Sequence, residues 1–333
     1  MPHARSESTF TPKPVLTFGE PLAIFTHPGS DPLSSNRTFN LDFGGAELNT
    51  AIGLSRLDVP VWYAAALGDD PFGQFILREL RAEGVDTHLV EQTSLCPTGA
   101  MFKLASGLYE DPAVQYYRSL SPMGSGHWRG EDALQAIVSG EVGWVHTTGI
   151  TWMLSERTSA ASDELIRVAR ENKTPVSFDV NVRRKLAPMD TWKRLVERIA
   201  PALTWVFMGD TEAEALFATD DVGAAFDKLD AMGFRGDGII VKRGEKGAAA
   251  VVHGKRIQVD AFPIRQVVDT VGAGDGFNAG WLAAYLRGDD MDQALKVASI
   301  VGAYAVSSPG DSSGYPTLAQ VQSHLAGDEE VRR

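Results

Sequence analysis

The chain shows two hydrophobic patterns in turn: short apolar runs, and longer segments whose apolar residues recur three or four positions apart. The short runs predict buried strands at residues 15–18, 61–67, 142–148, 175–180, 205–208, 238–242 and 248–252. The helical spacing predicts helices at residues 51–57, 74–83, 131–139, 162–172, 277–286 and 291–306. Because strands and helices alternate, the pattern predicts an α/β fold with a doubly wound, mostly parallel sheet and helices on both faces.

Residues 98–120 depart from this alternation. Two extended stretches surround a polar segment at 107–112, which is typical of a β-hairpin with a long loop. Together with residues 36–43 the hairpin predicts a small sheet beside the main body, a lid formed by about 29–44 and 96–122. In an extended strand Tyr116 and Arg118 point to the same side, where they could meet a polyol acid. The same pair also fits an exposed edge strand.

A glycine-rich turn at residues 269–277 follows the extended-looking Val267 and Val268 and opens the helix at 277–286. The first amides of a helix lack intrahelical partners and carry partial positive charge, so Gly272, Ala273 and Gly274 are expected to present free N–H groups to an anion. Asp275 is expected to be ionised at neutral pH and to accept a proton from a nearby hydroxyl. The turn predicts a phosphoryl-transfer site, although an ordinary helix start with a favourable Asp also fits it.

Composition and charge narrow the classes of function. The 333 residues include 44% hydrophobic residues, enough for a large core, and a net charge of −12 argues against nucleic acid or an anionic membrane as partner. A single cysteine, Cys96, excludes internal disulfides and fits the cytoplasm. The seven histidines form no zinc pattern, and there is no P-loop or nucleophile elbow. Residues 1–14 are polar and predict a disordered tail.

The run D-T-V-G-A-G-D-G-F at 269–277 resembles the C-terminal signature of the ribokinase-like (PfkB) carbohydrate kinases. L-G-D-D-P-F-G at 67–73 resembles the N-terminal signature of the same family, and the resemblance extends over about residues 15–316. It implies a ribokinase-like kinase domain at 15–320 with a β lid, followed by a tail at 321–333. It also implies ATP as co-substrate and Mg²⁺ as cofactor, and leaves a monovalent-cation requirement open. Asp275 is the catalytic base that it implies, with Gly272, Ala273 and Gly274 as the anion hole.

Several shorter motifs resemble the 2-keto-3-deoxygluconate kinase branch of the family: G-G-A-E, Y-Y-R, G-I-T, D-V-N-x-R, and G-D at 310–311. This branch implies phosphorylation of the sugar acid to its 6-phosphate. The resemblance assigns substrate contacts to Glu20, Gly45, Asn49, Met101, Tyr116, Arg118, Ile150, Arg183, Asp275 and Asp311. It assigns ATP contacts to Asn181, Gly209, Lys242, Gly244, Gly247, Gly272 and Gly274, and a water-mediated magnesium contact to Glu212. From the residues alone, Asn49 also fits a helix cap and Arg183 a structural salt bridge.

Two departures from the branch keep other substrates open. Met101 stands where the branch often has a substrate-contacting tyrosine, and Val182 replaces an aromatic residue. Either change could favour a neutral sugar, as in a fructokinase or ribokinase. A non-catalytic sugar or nucleotide sensor is the alternative of another class, but binding alone does not need the base Asp275. Exposed edges of the lid sheet predict a homodimer paired through the lid.

Overall fold

The structure, a computed structural model, describes residues 13–28, 37–104 and 113–327 and contains thirteen strands and eleven α-helices in these ranges. The strands are β1 (Val15–Phe18), β2 (Leu22–Thr26), β3 (Asn40–Gly44), β4 (Val61–Gly68), β5 (Val90–Thr93), β6 (Gly99–Leu104), β7 (Ala113–Tyr117), β8 (Trp144–Thr148), β9 (Val176–Asp179), β10 (Trp205–Gly209), β11 (Gly238–Lys242), β12 (Ala248–Val252) and β13 (Lys255–Val259). The helices are α1 (Ala46–Arg56), α2 (Pro71–Ala82), α3 (Glu131–Val138), α4 (Gly149–Trp152), α5 (Glu156–Glu171), α6 (Met189–Ile199), α7 (Asp210–Phe217), α8 (Val222–Ala231), α9 (Ala273–Arg287), α10 (Met291–Val306) and α11 (Leu318–Ala326).

Nine strands form the main sheet, in the order β13-β12-β11-β10-β9-β8-β1-β4-β5. The seven strands from β11 to β5 are parallel, and β12 and β13 extend the sheet antiparallel at one edge. The chain builds outward from β1 through β4 to β5, and then from β8 to the opposite edge. Strand order therefore reverses between β1 and β8, and a ligand crevice is expected outside the carboxyl ends of these strands. The predicted doubly wound α/β fold is confirmed.

Helix α9 lies in the core of the molecule. Trp281 is fully buried and packs against Trp205 with ring centroids 4.4 Å apart. On another side of the helix, Gly280 leaves room for Val301 and the backbone of α10 to approach closely. Packing on both sides fixes the direction of α9 and hence the position of its first turn.

The small sheet has the order β3-β2-β6-β7. Burial alternates along β6, so that Met101 and Lys103 are buried while Phe102, between them, is half-buried on the opposite face. A separate small sheet was predicted, but its strand β2 was not, because Leu22–Thr26 follows β1 after a gap of only three residues. Parts of the predicted lid, residues 29–36 and 105–112, lie outside the described residues.

Three boundaries differ from the sequence predictions. Val267 and Val268 are not in a strand and are 55% and 51% exposed, and the Val268 amide donates to the Val306 carbonyl, 2.7 Å. Helix α11 continues past the predicted domain end at 320 because Val321 is fully buried against the core.

At the amino-terminal end, Pro14 was predicted to belong to a disordered tail, yet its carbonyl accepts a hydrogen bond from the Gly143 amide, 2.9 Å. The remaining tail residues, 1–12 and 328–333, lie outside the described ranges. No helix within the described ranges has the length and apolar character needed to cross a bilayer.

Candidate active site

The first turn of α9 contains the predicted base and anion hole. Gly272 has a left-handed backbone, φ +80°, and the helix begins at the next residue. Within the described residues the amides of Gly272 and Gly274 donate to no backbone carbonyl, whereas the Ala273 amide makes a long 3.4 Å bond to Thr270. Two of the three predicted amides are thus free to meet an anion, and the third is weakly engaged.

Asp275 sits one residue further and is 8% exposed. Its Oδ2 accepts a 2.8 Å hydrogen bond from the Asn49 side chain on α1, and its Oδ1 accepts a longer one, 3.4 Å, from the Asn181 side chain. Asn181 has a left-handed backbone, φ +48°, two residues after the end of β9. Two segments, α1 and the residues after β9, thus supply amides to the Asp275 carboxylate, which forms no salt bridge with a described residue.

Burial raises the pKa of the Asp275 carboxyl from its ordinary value to about 7. The hydrogen bond from Asn49 lowers it, the charge of Asp179 raises it further, and the charges of Lys242 and Arg183 lower it. The expectation that Asp275 is fully ionised at neutral pH is therefore wrong for the free protein. A carboxylate with a pKa near 7 is better matched to taking a proton at neutral pH than an ordinary one.

Lys242, a predicted ATP contact, points toward this turn. An added side-chain carbon at Gly274 would lie 3.2 Å from its Nζ atom. The ammonium is held by Asp179, 2.7 Å away, and by the side-chain oxygen of Asn278, 3.3 Å. Sequence reasoning assigned no role to Asp179 or Asn278, although the first heads the D-V-N motif and the second lies one helical turn beyond Asp275.

Glu212, the predicted magnesium contact, is held by backbone amides. Its Oε1 accepts from Val182, 2.6 Å, and its Oε2 from Gly209, 2.7 Å. Burial and the charge of Asp179 raise its pKa, while Lys242 lowers it. No cluster of three ligand-type side chains able to hold a metal occurs in the described parts of the chain. Near Glu212, the buried Oδ1 atom of Asp179 has no hydrogen-bond partner among the described residues and could accept a cation.

Two predicted substrate contacts pair with each other. The Arg118 guanidinium forms an ion pair with the Glu20 carboxylate, and the Ser121 hydroxyl donates to the same carboxylate. Arg118 also lies over the Tyr116 ring, 5.3 Å from its centroid, so the two side chains do share a side as predicted. Met101 is buried against Tyr116 and two apolar residues of β2. This wall of the crevice belongs to the small sheet.

Glu47 of α1 binds the residues that follow β8, at the point where the strand order reverses between β1 and β8. The sequence alone assigned Glu47 no role. Its Oε1 accepts from the Thr148 amide, 3.0 Å, and from the hydroxyls of Thr148, 2.8 Å, and Thr151, 2.6 Å. These bonds fix α1 against α4, which contains the buried Ile150. Gly45, at the start of α1, has φ +150° and leaves no room for a side chain beside the Glu20 carbonyl.

Asp311 borders the same turn from the loop after α10. A side chain on Gly272 would collide with the Asp311 carbonyl. The Asp311 carboxylate forms a buried ion pair with Lys103 of the small sheet, a lysine that no local sequence signal marks. Tyr315 supports the turn through a 2.6 Å hydrogen bond from its hydroxyl to the Gly272 carbonyl.

The remaining predicted residues lie around this centre. Arg183 is exposed and donates a hydrogen bond to the neighbouring Val182 carbonyl, 3.2 Å. Gly209 begins α7. Gly244 lies in an exposed turn, whereas Gly247, with φ +77°, is buried where a side chain would strike the Val259 backbone. Close packing against the Val259 backbone is thus sufficient to require glycine at position 247, whether or not this residue also contacts a nucleotide.

Comparisons with known proteins agree with this geometry. Residues 19–318 match the model of the family described as pfkB family carbohydrate kinase. The chain is 32% identical to a 2-dehydro-3-deoxygluconokinase of Bacillus subtilis, over 96% of this chain and 97% of that one. It resembles the crystal structure of a PfkB protein from Polaromonas sp. JS666, with a TM-score of 0.81 and 30% identity over 93% of this chain and 99% of that one. It also resembles a putative ribokinase II from E. coli in complex with ATP and Mg²⁺, with a TM-score of 0.84 and 24% identity over 95% and 99% of the two chains.

Proposed function

The chain belongs to the pfkB family of carbohydrate kinases, and from that membership we propose that it transfers the γ-phosphoryl group of ATP to the 6-hydroxyl of 2-keto-3-deoxygluconate (2-dehydro-3-deoxygluconate). One observation carries the proposal. A buried carboxylate with a pKa of about 7, Asp275, adjoins free backbone amides at the start of a helix. A base beside an anion cradle is what phosphoryl transfer to an alcohol requires.

Asp275 takes the proton of the attacking hydroxyl in this mechanism. The hydroxyl oxygen forms the new bond to phosphorus, the bond to the leaving oxygen of ADP breaks, and the proton ends on the Asp275 carboxylate. Asn49 and Asn181 orient that carboxylate through the bonds described above. Orientation of the base and the hydroxyl supplies much of the rate because little covalent chemistry is left to the protein.

The phosphates of ATP belong over the first turn of α9 in this proposal. The amides of Gly272 and Gly274 face the transferred group, and Lys242 faces the phosphates beside Gly274. The relative from E. coli is described in complex with ATP and Mg²⁺, and Mg²⁺ commonly binds through phosphates and waters with one or two carboxylates. Asp179 and Glu212 would hold it here, and the ion neutralises phosphate charge when bound.

The choice of a sugar acid rests on Arg183. It is exposed and forms no ion pair with a described residue, and its charge reaches Asp275. Arg118, in contrast, is already paired with Glu20. A substrate carboxylate would therefore meet Arg183 first. A neutral ketose or ribose is the second candidate, favoured by the apolar Met101 on the small-sheet wall.

The proposal has three further parts. A monovalent cation acts as an accessory, and replacing K⁺ by tetramethylammonium in the assay tests that part. The outer face of the small sheet pairs two copies of the chain, because Leu41 and Tyr117 on it are 44% and 64% exposed. The reaction takes place in a reducing cytoplasm, where the single cysteine, Cys96, stays a free thiol.

The first experiment measures ADP production with 2-keto-3-deoxygluconate, its galactonate epimer, fructose and ribose at equal concentrations. We expect the two sugar acids to give the highest kcat/KM. Preference for fructose or ribose would overturn the choice of substrate while leaving the kinase. Binding of sugar and ATP without turnover of any sugar would favour a sensor.

The second experiment replaces the base. Asp275→Asn keeps the size and the hydrogen bond with Asn49, so we expect kcat to fall by about 10²- to 10⁴-fold with folding intact. Asp292→Asn is the matched control, because Asp292 occupies the first turn of the neighbouring helix α10. Near-normal kcat in Asp275→Asn would show that another group takes the proton.

A further inference from the structure

Lys103 is a buried lysine that the proposed mechanism does not use. It lies on β6, on the face of the small sheet turned inward, and is 4% exposed. Removing an ammonium group from water is strongly unfavourable unless opposite charges compensate it. The carboxylates that compensate the Lys103 ammonium therefore stabilise one placement of the small sheet relative to the rest of the protein.

Both partners come from the α/β body, and they flank the turn that leads into α9. The Lys103 ammonium forms an ion pair with the Asp311 carboxylate and lies 3.7 Å from the Asp269 carboxylate. Asp269 begins the turn, and its other carboxylate oxygen accepts a 3.0 Å hydrogen bond from the Val271 amide. Asp311 packs its backbone against Gly272. One charge on the small sheet thus joins the two segments that shape the anion cradle.

We infer that Lys103 is a positioning residue that ties closure of the small sheet to the geometry of the Gly272–Gly274 amides. With Lys103 withdrawn, Asp269 and Asp311 repel each other, and Asp42 of β3 adds a third negative charge near Asp311. The turn then keeps its hydrogen bond from Tyr315 but loses the charge that joins it to the Asp311 carboxylate. With Lys103 in place, the cradle is formed when the small sheet covers the crevice and excludes water. The kinetic consequence rests on the proposed function; the structural coupling does not.

The kinetic test uses Lys103→Met, which keeps the length of the side chain and removes its charge. We expect kcat to fall by about 10²-fold, as for a misplaced reacting group, with a smaller change in the KM for ATP. We also expect ATP hydrolysis without sugar to rise relative to sugar phosphorylation. Lys185→Met is the matched control, because Lys185 also reaches the small sheet, at the Val114 carbonyl, but is exposed. Equal effects of the two variants on kcat would overturn the inference.

Amide hydrogen exchange tests the coupling without reference to turnover. In Lys103→Met we expect exchange to rise at least about tenfold both in residues 99–104 and in residues 269–275, with no such change in Lys185→Met. The double variant Lys103→Met, Asp311→Asn removes both charges of the Lys103–Asp311 ion pair. Because no buried charge of that pair is then left without its partner, this variant is less prone to unfold and serves as a control for loss of the fold. It should show the same joint increase.

Exchange that rises only in the small sheet, with the turn as in the wild type, would contradict the coupling. If the wild-type protein phosphorylates no sugar, the proposed function fails, but the exchange result still decides whether Lys103 couples the two segments.

Discussion

At the scale of single residues, the raised pKa of Asp275 favours catalysis and lowers the stability of the folded protein. Its pKa of about 7 makes it a suitable base, but the shift arises because the folded protein disfavours the ionised carboxylate. Activity and stability should therefore depend on pH in opposite directions over the same range.

Activity should be lost as the pH falls through 7, because a protonated Asp275 cannot accept the proton of the hydroxyl. We expect kcat/KM for the sugar to rise about tenfold per pH unit between pH 5 and 6.5 and to level off above pH 7.5. Steady-state rates at saturating MgATP measure this. A flat profile from pH 5.5 to 7.5 would contradict the assignment of the base.

Stability should change in the other direction. The folded-state pKa lies above the ordinary value of 3.8, so the folded protein binds more protons between pH 4 and 7 and its free energy of unfolding falls as pH rises. Asp275→Asn removes this penalty and should be more stable than the wild type at pH 8 by about 4 kcal/mol. The difference should nearly vanish at pH 4. Urea unfolding at both pH values measures it, and an equal difference at both would refute the linkage.

Several site residues could be predicted from local sequence and others could not. Asp275 and Gly272 stand in a long motif, and a left-handed glycine before a helix has a local physical meaning. Lys103 has no such signal: its partner Asp311 lies 208 residues further along the chain. Likewise, nothing local indicates that Arg118 is paired with Glu20, because that pairing depends on how the small sheet docks.

At the scale of elements, α9 has a left-handed glycine at each end that can be compared directly. Gly272 has φ +80° and Gly288 has φ +87°. An added side chain at Gly288 meets nothing within 4 Å, whereas at Gly272 it collides with the Asp311 backbone. Substituting alanine at Gly288 therefore introduces backbone strain alone, whereas substituting it at Gly272 introduces the same strain together with a steric clash.

Gly288→Ala should cost about 1 kcal/mol of unfolding free energy, the strain of the left-handed conformation alone. Gly272→Ala should cost at least about 2 kcal/mol more, because the Asp311 loop must move. Denaturant unfolding at fixed pH gives both values. Comparable losses for the two variants would show that the loop yields freely and does not fix the turn.

The sequence predicts elements whose apolar residues recur at regular spacing, but it does not predict elements whose conformation depends on contacts with distant parts of the chain. The range of α10 matches the apolar spacing from Met291 to Val306. The edge strand β13 was missed because its residues are mostly polar and exposed, with burial only at Val259. Val267 and Val268 were read as extended from their β-branched side chains, but these side chains have no sheet face to pack on.

At the scale of the whole molecule, the small sheet has two different faces. Its inner face carries Lys103 and Met101 toward the crevice. On its opposite face Phe25 stacks on Phe102, with ring centroids 4.8 Å apart, and also packs edge-on against Phe72 of α2, while Tyr117 is 64% exposed. An apolar face of this kind suits a second copy of the chain.

Tyr117→Glu should convert the proposed dimer to a monomer, because it places a charge on the exposed part of the apolar face. Sedimentation velocity at micromolar concentration measures the change. Val138→Glu is the control, since Val138 is 54% exposed on α3, outside the small sheet. A wild-type protein that sediments as a monomer, or two variants that behave alike, would contradict pairing through this face.

The contact between Asn49 and Asp275 spans 226 residues of the chain. During translation, a polypeptide that has emerged only as far as the middle of the gene product has one half of this pair and lacks the other. The nascent chain therefore lacks this pair until the first turn of α9 has left the ribosome. Prematurely terminated products should be inert toward ATP, whatever part of them has already folded.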